Sequence, residues 1–298
     1  MAPSIYVNRA LSADERRSSV QHGDFHLVVG NPTVRPMVEW ATTLIGEAFG
    51  ELDPQLAQHE IEVPEFIKRV SPLKSKFTND AHTKELMADL LIGLGYDPDD
   101  TYYDLPRLRA VPSDGYLTTG VSYAYRPHRD TWYSHPPAVV NHWVPVFDTV
   151  GANVMSFWVE YWDRRVGNSG FDYDSWVAES RFAAASQVGV EQRPHPLPTD
   201  PIDGASEIRF APNAGDVIIF STCQLHGTAP NVSGRTRFSF DMRTLSLRDL
   251  QTGAGPADLD GRATGTTVKD FLRVADHAPL SDVYQRAVVS RRTPIATW

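Results

Sequence analysis

From Thr101 to Leu245 the chain passes through short runs rich in aromatic and β-branched residues, and this succession limits its folds more than any other feature. The runs are Thr101–Val111, Tyr116–Arg126, Ala138–Phe147, Val154–Tyr161, Val217–Ser221 and Thr236–Leu245, with Gly, Pro and Asp between them. Punctuation of that kind marks strands joined by turns. Before them the apolar spacing is helical. Met37, Trp40, Ala41, Leu44, Ile45 and Ala48 share one face over Thr33–Phe49, with Thr33 placed to cap. Leu86, Leu90 and Leu94 share another over Asn79–Leu94, with Gly95 as the stop signal. Further helices are expected over Tyr173–Val188, Val268–Ala275 and Ser281–Ser290, with a flexible loop at Leu250–Thr266. Helices followed by strands predict a single α+β domain over residues 1–298, with a mainly β, barrel-like core. Its parts are a helical stretch at 1–100, the core at 101–248 with a helical insert at about 173–188, and a loop with C-terminal helices at 249–298.

Composition narrows the function. With 41% hydrophobic and 22% charged residues, the chain supports a packed core and not disorder. Cys223 is the sole cysteine, which excludes an intramolecular disulfide and a cysteine-based zinc site. The polar N-terminus lacks the apolar core of a signal peptide, and no long apolar run occurs, so a cytoplasmic protein with no membrane partner is expected. A net charge of −9 argues against nucleic acid, whose phosphates call for a Lys/Arg footprint. The expected partner is a small molecule, and the protein is expected to be a monomer or homodimer.

His128 and Asp130 are two positions apart, so on a strand both side chains leave the same face. Imidazole nitrogen and carboxylate oxygen together suit Fe(II), and a histidine from a distant strand completes a facial triad with open positions. His226, just past the apolar stretch Val217–Phe220, is the expected third ligand. His22 and Asp24 form a second such pair, with His26 following. On one strand His22 and His26 stand roughly 13 Å apart, too far for easy joint ligation. The triplet His128-Arg129-Asp130 has the form of a kinase catalytic loop, but the downstream Asn, the Gly-rich loop and the DFG motif are missing.

Arg237, Ser239, Asp241 and Arg243 alternate with Phe238, Phe240 and Met242, which puts the polar set on one strand face. An arginine in a barrel interior needs an anion, and a carboxylate matches its fork. Arg237 is therefore placed to take the distal carboxylate of a dicarboxylate whose 2-oxo acid end chelates the metal, with Ser239 adding a hydrogen bond. Arg235 and Arg243 compete for the role, and a structural pair between Arg237 and Asp241 is the alternative.

The pattern His128-x-Asp130, His226 and Arg237-x-Ser239 resembles the Fe(II)/2-oxoglutarate-dependent dioxygenase superfamily over about residues 100–248. It is most similar to the phytanoyl-CoA dioxygenase-like branch, which has helices before its barrel. The resemblance implies a double-stranded β-helix of the jelly-roll, cupin-like kind, with Fe(II), 2-oxoglutarate and O2. It assigns His128, Asp130 and His226 to the metal and Arg237 to 2-oxoglutarate. It implies hydroxylation, desaturation, cyclisation or epimerisation of a metabolite, in keeping with secondary metabolism, and release of succinate and CO2. Related halogenases usually replace the carboxylate ligand with Gly or Ala to admit chloride; Asp130 is present here, which argues for oxygenation. Residues 151–161 depart from the branch's Asn-Gly and Pro-Gly-Ser-His-like stretch, so the substrates of close phytanoyl relatives do not transfer.

Other residues are expected around this centre. Asn141 and Trp143 share a face of their strand, and Asn141 either hydrogen-bonds 2-oxoglutarate or is a satisfied strand residue. Thr131, Trp132 and Tyr133, with Trp143 and Trp158, are candidates for the pocket wall. Arg107 and Arg109, if inward, favour an anionic substrate. Trp158, Tyr161, Trp162, Phe171, Tyr173 and Trp176 form either a lid or the packing of the insert on the barrel, and His135 and His142 are expected to be structural. Two rivals share the fold: a cupin-like dioxygenase or isomerase using metal without 2-oxoglutarate, and a non-catalytic binding protein.

Overall fold

Residues 3–173 and 187–283 are described by the computed structural model. Strand β1 (Ile5–Val7), helix α1 (Ala13–Gln21) and strand β2 (Phe25–Val28) precede three longer helices, α2 (Arg35–Phe49), α3 (Val63–Asn79) and α4 (Ala81–Gly93). Strands β3 (Thr101–Asp104), β4 (Arg107–Val111), β5 (Val140–Pro145), β6 (Met155–Trp158), β7 (Glu207–Arg209), β8 (Val217–Ser221), β9 (His226–Thr228) and β10 (Arg237–Ser246) follow. Helix α5 (Leu247–Thr252), strand β11 (Phe271–Arg273) and helix α6 (Leu280–Val283) close the described chain.

The larger sheet runs β1-β2-β8-β5-β10-β3-β11, with β4 lying beside the other half of β10, and the smaller sheet runs β7-β6-β9. Strand β10 organises the molecule. Its apolar residues Phe238, Phe240 and Met242 are fully buried among α2, α3 and α4, where Phe238 meets Phe49 and Phe240 meets Phe77 with ring centroids 5.8 Å apart in both pairs. Removing either β10 phenylalanine is expected to cost ~3–5 kcal/mol, the usual range for a buried Phe→Ala change. The helices cover that face completely, so the alternating face with Arg237, Ser239, Asp241 and Arg243 looks the other way. Neighbouring strands add to it in register: Ser239 opposes Arg109 and Asp241 opposes Arg107 on β4, while Asp241 opposes Trp143 and Arg243 opposes Asn141 on β5.

The structure corrects several expected elements. The run Thr101–Val111 is broken at Leu105-Pro106, because proline has no N–H for the ladder, and β10 therefore takes two partners along one edge. Tyr116–Arg126 is not a strand. Gly115 and Gly120 have positive φ (72° and 59°), the chain turns there into a short 3-10 segment, and the tyrosines that mimicked a strand pattern face a cavity instead. Val154–Tyr161 is strand only at β6 and ends in a 3-10 turn. The helix expected over Val268–Ala275 is a 3-10 turn followed by β11, whose Phe271 pairs with Asp104 of β3. Thr33 does not cap its helix; the Asn31 side chain accepts from the Thr33 amide. Within the expected loop, Leu250–Thr252 belong to α5. The expected insert helix lies, except for its ends, outside the described residues, as does 284–290 of the last helix.

Helix α3 is the main element that the periodicity obscures. Pro72 sits inside it, yet Phe66, Val70, Leu73 and Phe77 still form one buried stripe. Among the described residues no helix is long and apolar enough to cross a membrane.

Candidate metal centre

Two backbone hydrogen bonds create the centre. The His128 amide donates to the His226 carbonyl (2.8 Å) and the His226 amide donates back to the His128 carbonyl (2.9 Å). Residues that exchange both bonds in an antiparallel pair stand directly opposite and send their side chains to the same side. The imidazole centroids are consequently 4.4 Å apart. Gly227 makes this approach possible, because a Cβ there would lie 3.1 Å from the Pro127 nitrogen and 3.2 Å from the Tyr125 oxygen. His128 forms only this isolated bridge, and Asp130 opens a 3-10 turn, so the pair does not lie on a continuous strand as the spacing suggested.

Ring orientation follows from the second nitrogens. His128 Nδ1 donates to the Arg126 carbonyl (2.7 Å) and His226 Nδ1 to the Gln224 carbonyl (2.8 Å). A carbonyl accepts only, so both Nδ1 atoms carry hydrogen and both Nε2 lone pairs point away from it. They converge on Asp130 Oδ1, at 3.3 Å from His128 Nε2 and 3.7 Å from His226 Nε2. The other carboxylate oxygen, Oδ2, accepts from Arg243 Nε at 2.9 Å. One ligand atom from each residue lies within 4.8 Å of the others, and all three residues are buried.

Electrostatics keep this group ready for a cation. Burial works to raise the Asp130 carboxyl, but the Arg243 guanidinium beside it holds it well below the usual carboxylate range. Burial and then the neighbouring His128 push His226 down to about 4, so its imidazole is neutral at physiological pH. Arg243 is itself fixed by Asp104, through Nη1 to Oδ2 (3.1 Å) and from its amide to Oδ1 (2.6 Å). The rival His22–His26 cluster does not assemble: His22 is an exposed helix cap, and His26 is buried against Ser19.

A cavity of about 1250 Å³ contains the three ligating residues and is also lined by Arg107, Arg109, Tyr133, Asn141, Trp143 and Arg237. Within it the arginines differ. Arg109 is locked to Asp241 by two bonds (2.6 and 3.0 Å), and Arg107 is paired with Asp104 (3.2 Å). Arg237 is 4% exposed, and its hydrogen bond goes to the Asn153 carbonyl (3.2 Å). Its guanidinium lies 5.4 Å from the centre of the Trp143 ring. No carboxylate of the described residues pairs with it, and its Nε has no partner. Burial, then the nearby Arg109, push it down to about 10. Ser239 Oγ and Asn141 Nδ2 are likewise buried without partners. A buried guanidinium that lines the cavity with its Nε unmet and no carboxylate among the described residues fits a carboxylate-bearing ligand, because it would otherwise carry its desolvation cost.

Other expected site residues lie elsewhere. Trp132 is buried away from the cavity with its indole N–H on Asp260, and it packs with Trp158 and Tyr161 in a separate apolar cluster. Thr131 is buried outside the lining. The aromatic set thus divides between packing (Trp158, Tyr161), an exposed position (Phe171) and the cavity wall (Tyr173), while Trp176 lies outside the described residues. Arg235 is exposed, and Arg243 serves the metal ligand. His142 is bonded to Tyr96 and His135 to Thr267. Sequence reasoning missed Lys74, Tyr123, Tyr125 and His195 of the cavity, and Asp104, which fixes Arg243. Their common signal is slight, since most lie on loops or strand ends where no periodicity operates.

No family model matches the chain, and no curated protein matches it. Among solved structures the chain is similar to the non-heme alpha-ketoglutarate-dependent epimerase SnoN from nogalamycin biosynthesis (13% identity, TM-score 0.39, 78% of this chain and 82% of that one). It is also similar to EvdO2 from Micromonospora carbonacea var. aurantiaca in complex with 2-oxoglutarate (12%, 0.42, 80% and 92%). A third is the non-heme monooxygenase ThoJ in its apo form (15%, 0.39, 89% and 92%). These likenesses are slight, and the functional assignment rests on the residues of the site.

Proposed function

We propose that this chain is a non-haem Fe(II)- and 2-oxoglutarate-dependent oxygenase of small-molecule metabolites, acting as one domain in the cytoplasm. Its two sheets are read as a double-stranded β-helix of the phytanoyl-CoA dioxygenase-like kind. One observation carries the proposal: a single cavity holds the buried His128, Asp130 and His226 group and a buried guanidinium, Arg237, without a carboxylate partner among the described residues. The histidine–carboxylate set suits non-haem Fe(II), and the lone arginine suits a dicarboxylate.

His128 and His226 would hold the metal through Nε2 and Asp130 through Oδ1. Arg243 keeps the Asp130 carboxylate turned and ionised. Arg237 would take the distal carboxylate of 2-oxoglutarate with Ser239 two residues along the same strand face, and Asn141, opposite Arg243, would meet the ligand nearer the metal. When bound, Fe(II) and 2-oxoglutarate supply the activation of O2, with 2-oxoglutarate leaving as succinate and CO2. The protein's part is to fix the target C–H bond and to limit water, for which the tyrosines and Trp143 of the wall are suited. Hydroxylation is the default outcome; desaturation, cyclisation and epimerisation use the same residues.

The test is anaerobic titration of metal-free protein with Fe(II) and then 2-oxoglutarate, followed by visible absorption. A weak charge-transfer band is expected that is absent in His128→Ala and weakened in Arg237→Met. A folded, iron-loaded wild-type protein that shows no band and no 2-oxoglutarate affinity refutes the proposal and favours a metal-only cupin-like activity.

A further inference from the structure

Opening off the main cavity is a recess of about 50 Å³ lined by Lys74, Arg109, Ser122, Tyr123, Tyr125 and Arg193. Apart from Ser122, these six residues also line the larger cavity, so the two spaces are continuous. Arg237 is not among them; it belongs to the larger space alone.

Charge in the recess is unbalanced. Arg109 is matched by Asp241 and Arg193 by Glu191. Glu191 is further engaged by the Gly120 amide at 2.8 Å, and Asp241 is held on both oxygens by Arg109. Both acids are thus already engaged, Asp241 by Arg109 and Glu191 by Arg193 and the Gly120 amide. Lys74 is half-buried on α3 and donates to the Val121 carbonyl, with no carboxylate of the described residues at ion-pair distance. An ammonium has three donors, so two remain to be met. Ser122 stands 2% exposed in the same recess, and its hydroxyl has no partner. Burial and then Arg109 push Lys74 down to about 7, and an anion brought alongside would restore its proton affinity.

The geometry points to this recess as a subsite for an anionic oxygen group of the substrate, a carboxylate or a phosphate, held by Lys74 and Ser122. One tyrosine separates the subsite from the metal centre: the Tyr125 ring lies 5.0 Å from the Arg109 guanidinium carbon and 5.4 Å from the His128 ring. A molecule anchored in the recess therefore extends past Tyr125 to the metal. This assignment deepens the proposed oxygenase function and rests on it for the word substrate.

The experiment uses the full chain free of metal and 2-oxoglutarate, titrated calorimetrically with inorganic phosphate and, separately, with acetate at constant ionic strength. Binding of at least one anion is expected, and the preferred one identifies the group as phosphate or carboxylate. Lys74→Met should weaken that binding about tenfold or more, as loss of a charge-assisted hydrogen bond does. Lys74→Arg should restore part of it, Ser122→Ala should weaken it about threefold, and Arg235→Met, an exposed position that lines neither space, should leave it within about twofold. Unchanged affinity in both Lys74→Met and Ser122→Ala, loss confined to Arg237→Met, or no binding of either anion at tens of millimolar overturns the subsite. Absence of the Fe(II)–2-oxoglutarate complex in wild type counts instead against the oxygenase reading, and leaves the anion result standing.

Discussion

Replacing Arg237 by Met separates a binding arginine from a structural one, because the two roles move stability in opposite directions. In the ligand-free protein this guanidinium is 4% exposed, has one carbonyl acceptor and faces the Trp143 ring. Its pKa is held at about 10, below the range above 12 usual for arginine, a gap that corresponds to ~3 kcal/mol of unfavourable burial. The charged form persists until pH rises through about 10, so this cost is present throughout the neutral range. The Trp143 contact offsets ~1–2 kcal/mol. Met keeps the apolar stem and removes the charge, so the unfolding free energy should be unchanged or up to ~2 kcal/mol higher. Binding should respond in the other sense. Truncating one partner of a buried, hydrogen-bonded charge pair costs ~2–5 kcal/mol, which is at least about 30-fold in 2-oxoglutarate affinity. Urea unfolding with and without metal plus 2-oxoglutarate measures both, since ligand stabilisation follows the ratio of concentration to Kd. A variant destabilised by ~3 kcal/mol or more, with 2-oxoglutarate affinity near that of wild type, would refute the reasoning, because that is the signature of a broken structural ion pair.

Three further outcomes follow from the same geometry. His128→Ala should abolish tight Fe(II) or Co(II) binding while His22→Ala leaves it unchanged; metal content after gel filtration distinguishes them, and retention by His128→Ala would remove the triad. Arg243→Met leaves the buried carboxylates of Asp130 and Asp104 without their shared cation, so a loss of ~3–5 kcal/mol in unfolding free energy is expected. That loss should be partly recovered when a divalent metal is added, and a variant as stable as wild type contradicts the role given to Arg243. His142 is fully buried against Tyr96 and pushed down to about 3 by burial first and Arg16 next. It stays neutral in the fold while the unfolded chain takes up a proton near pH 6.5, so its contribution is intact above that pH and declines as pH falls towards 3. About 2 kcal/mol should be lost from it between pH 6.5 and 5, and His142→Gln should flatten the decline; an equal slope in urea titrations refutes the assignment.

The centre was legible in the sequence because its signals are local. His128 and Asp130 are two residues apart, and the alternation of β10 puts Arg237, Ser239, Asp241 and Arg243 on one face whatever the rest of the chain does. Legibility failed where local pattern and tertiary role diverge. Tyr123 and Tyr125 supplied the aromatic content of a strand, yet they line a cavity on a turning segment. Trp132, adjacent to the metal pair in sequence, points into a separate cluster because the 3-10 turn after Asp130 rotates successive side chains apart. The three-residue β11 has too little chain to show any period, and Pro72 disguised α3.

By itself the sequence determined the chemistry available: two imidazoles and a carboxylate of the right type, an alternating polar strand, apolar helical stripes and no disulfide. Such features depend on residue identity and on the fixed periods of helix and strand. Tertiary structure alone decided which arginine serves which carboxylate. Arg107, Arg109, Arg237 and Arg243 are equivalent in sequence, but Asp104, Asp130 and Asp241 are distributed so that only Arg237 among these four lacks an acid. Lys74, on a helix far from the strands in sequence, likewise acquires its meaning only beside Ser122. Long-range ion pairing depends on distances set by sheet register and helix packing, and no local window of sequence contains them.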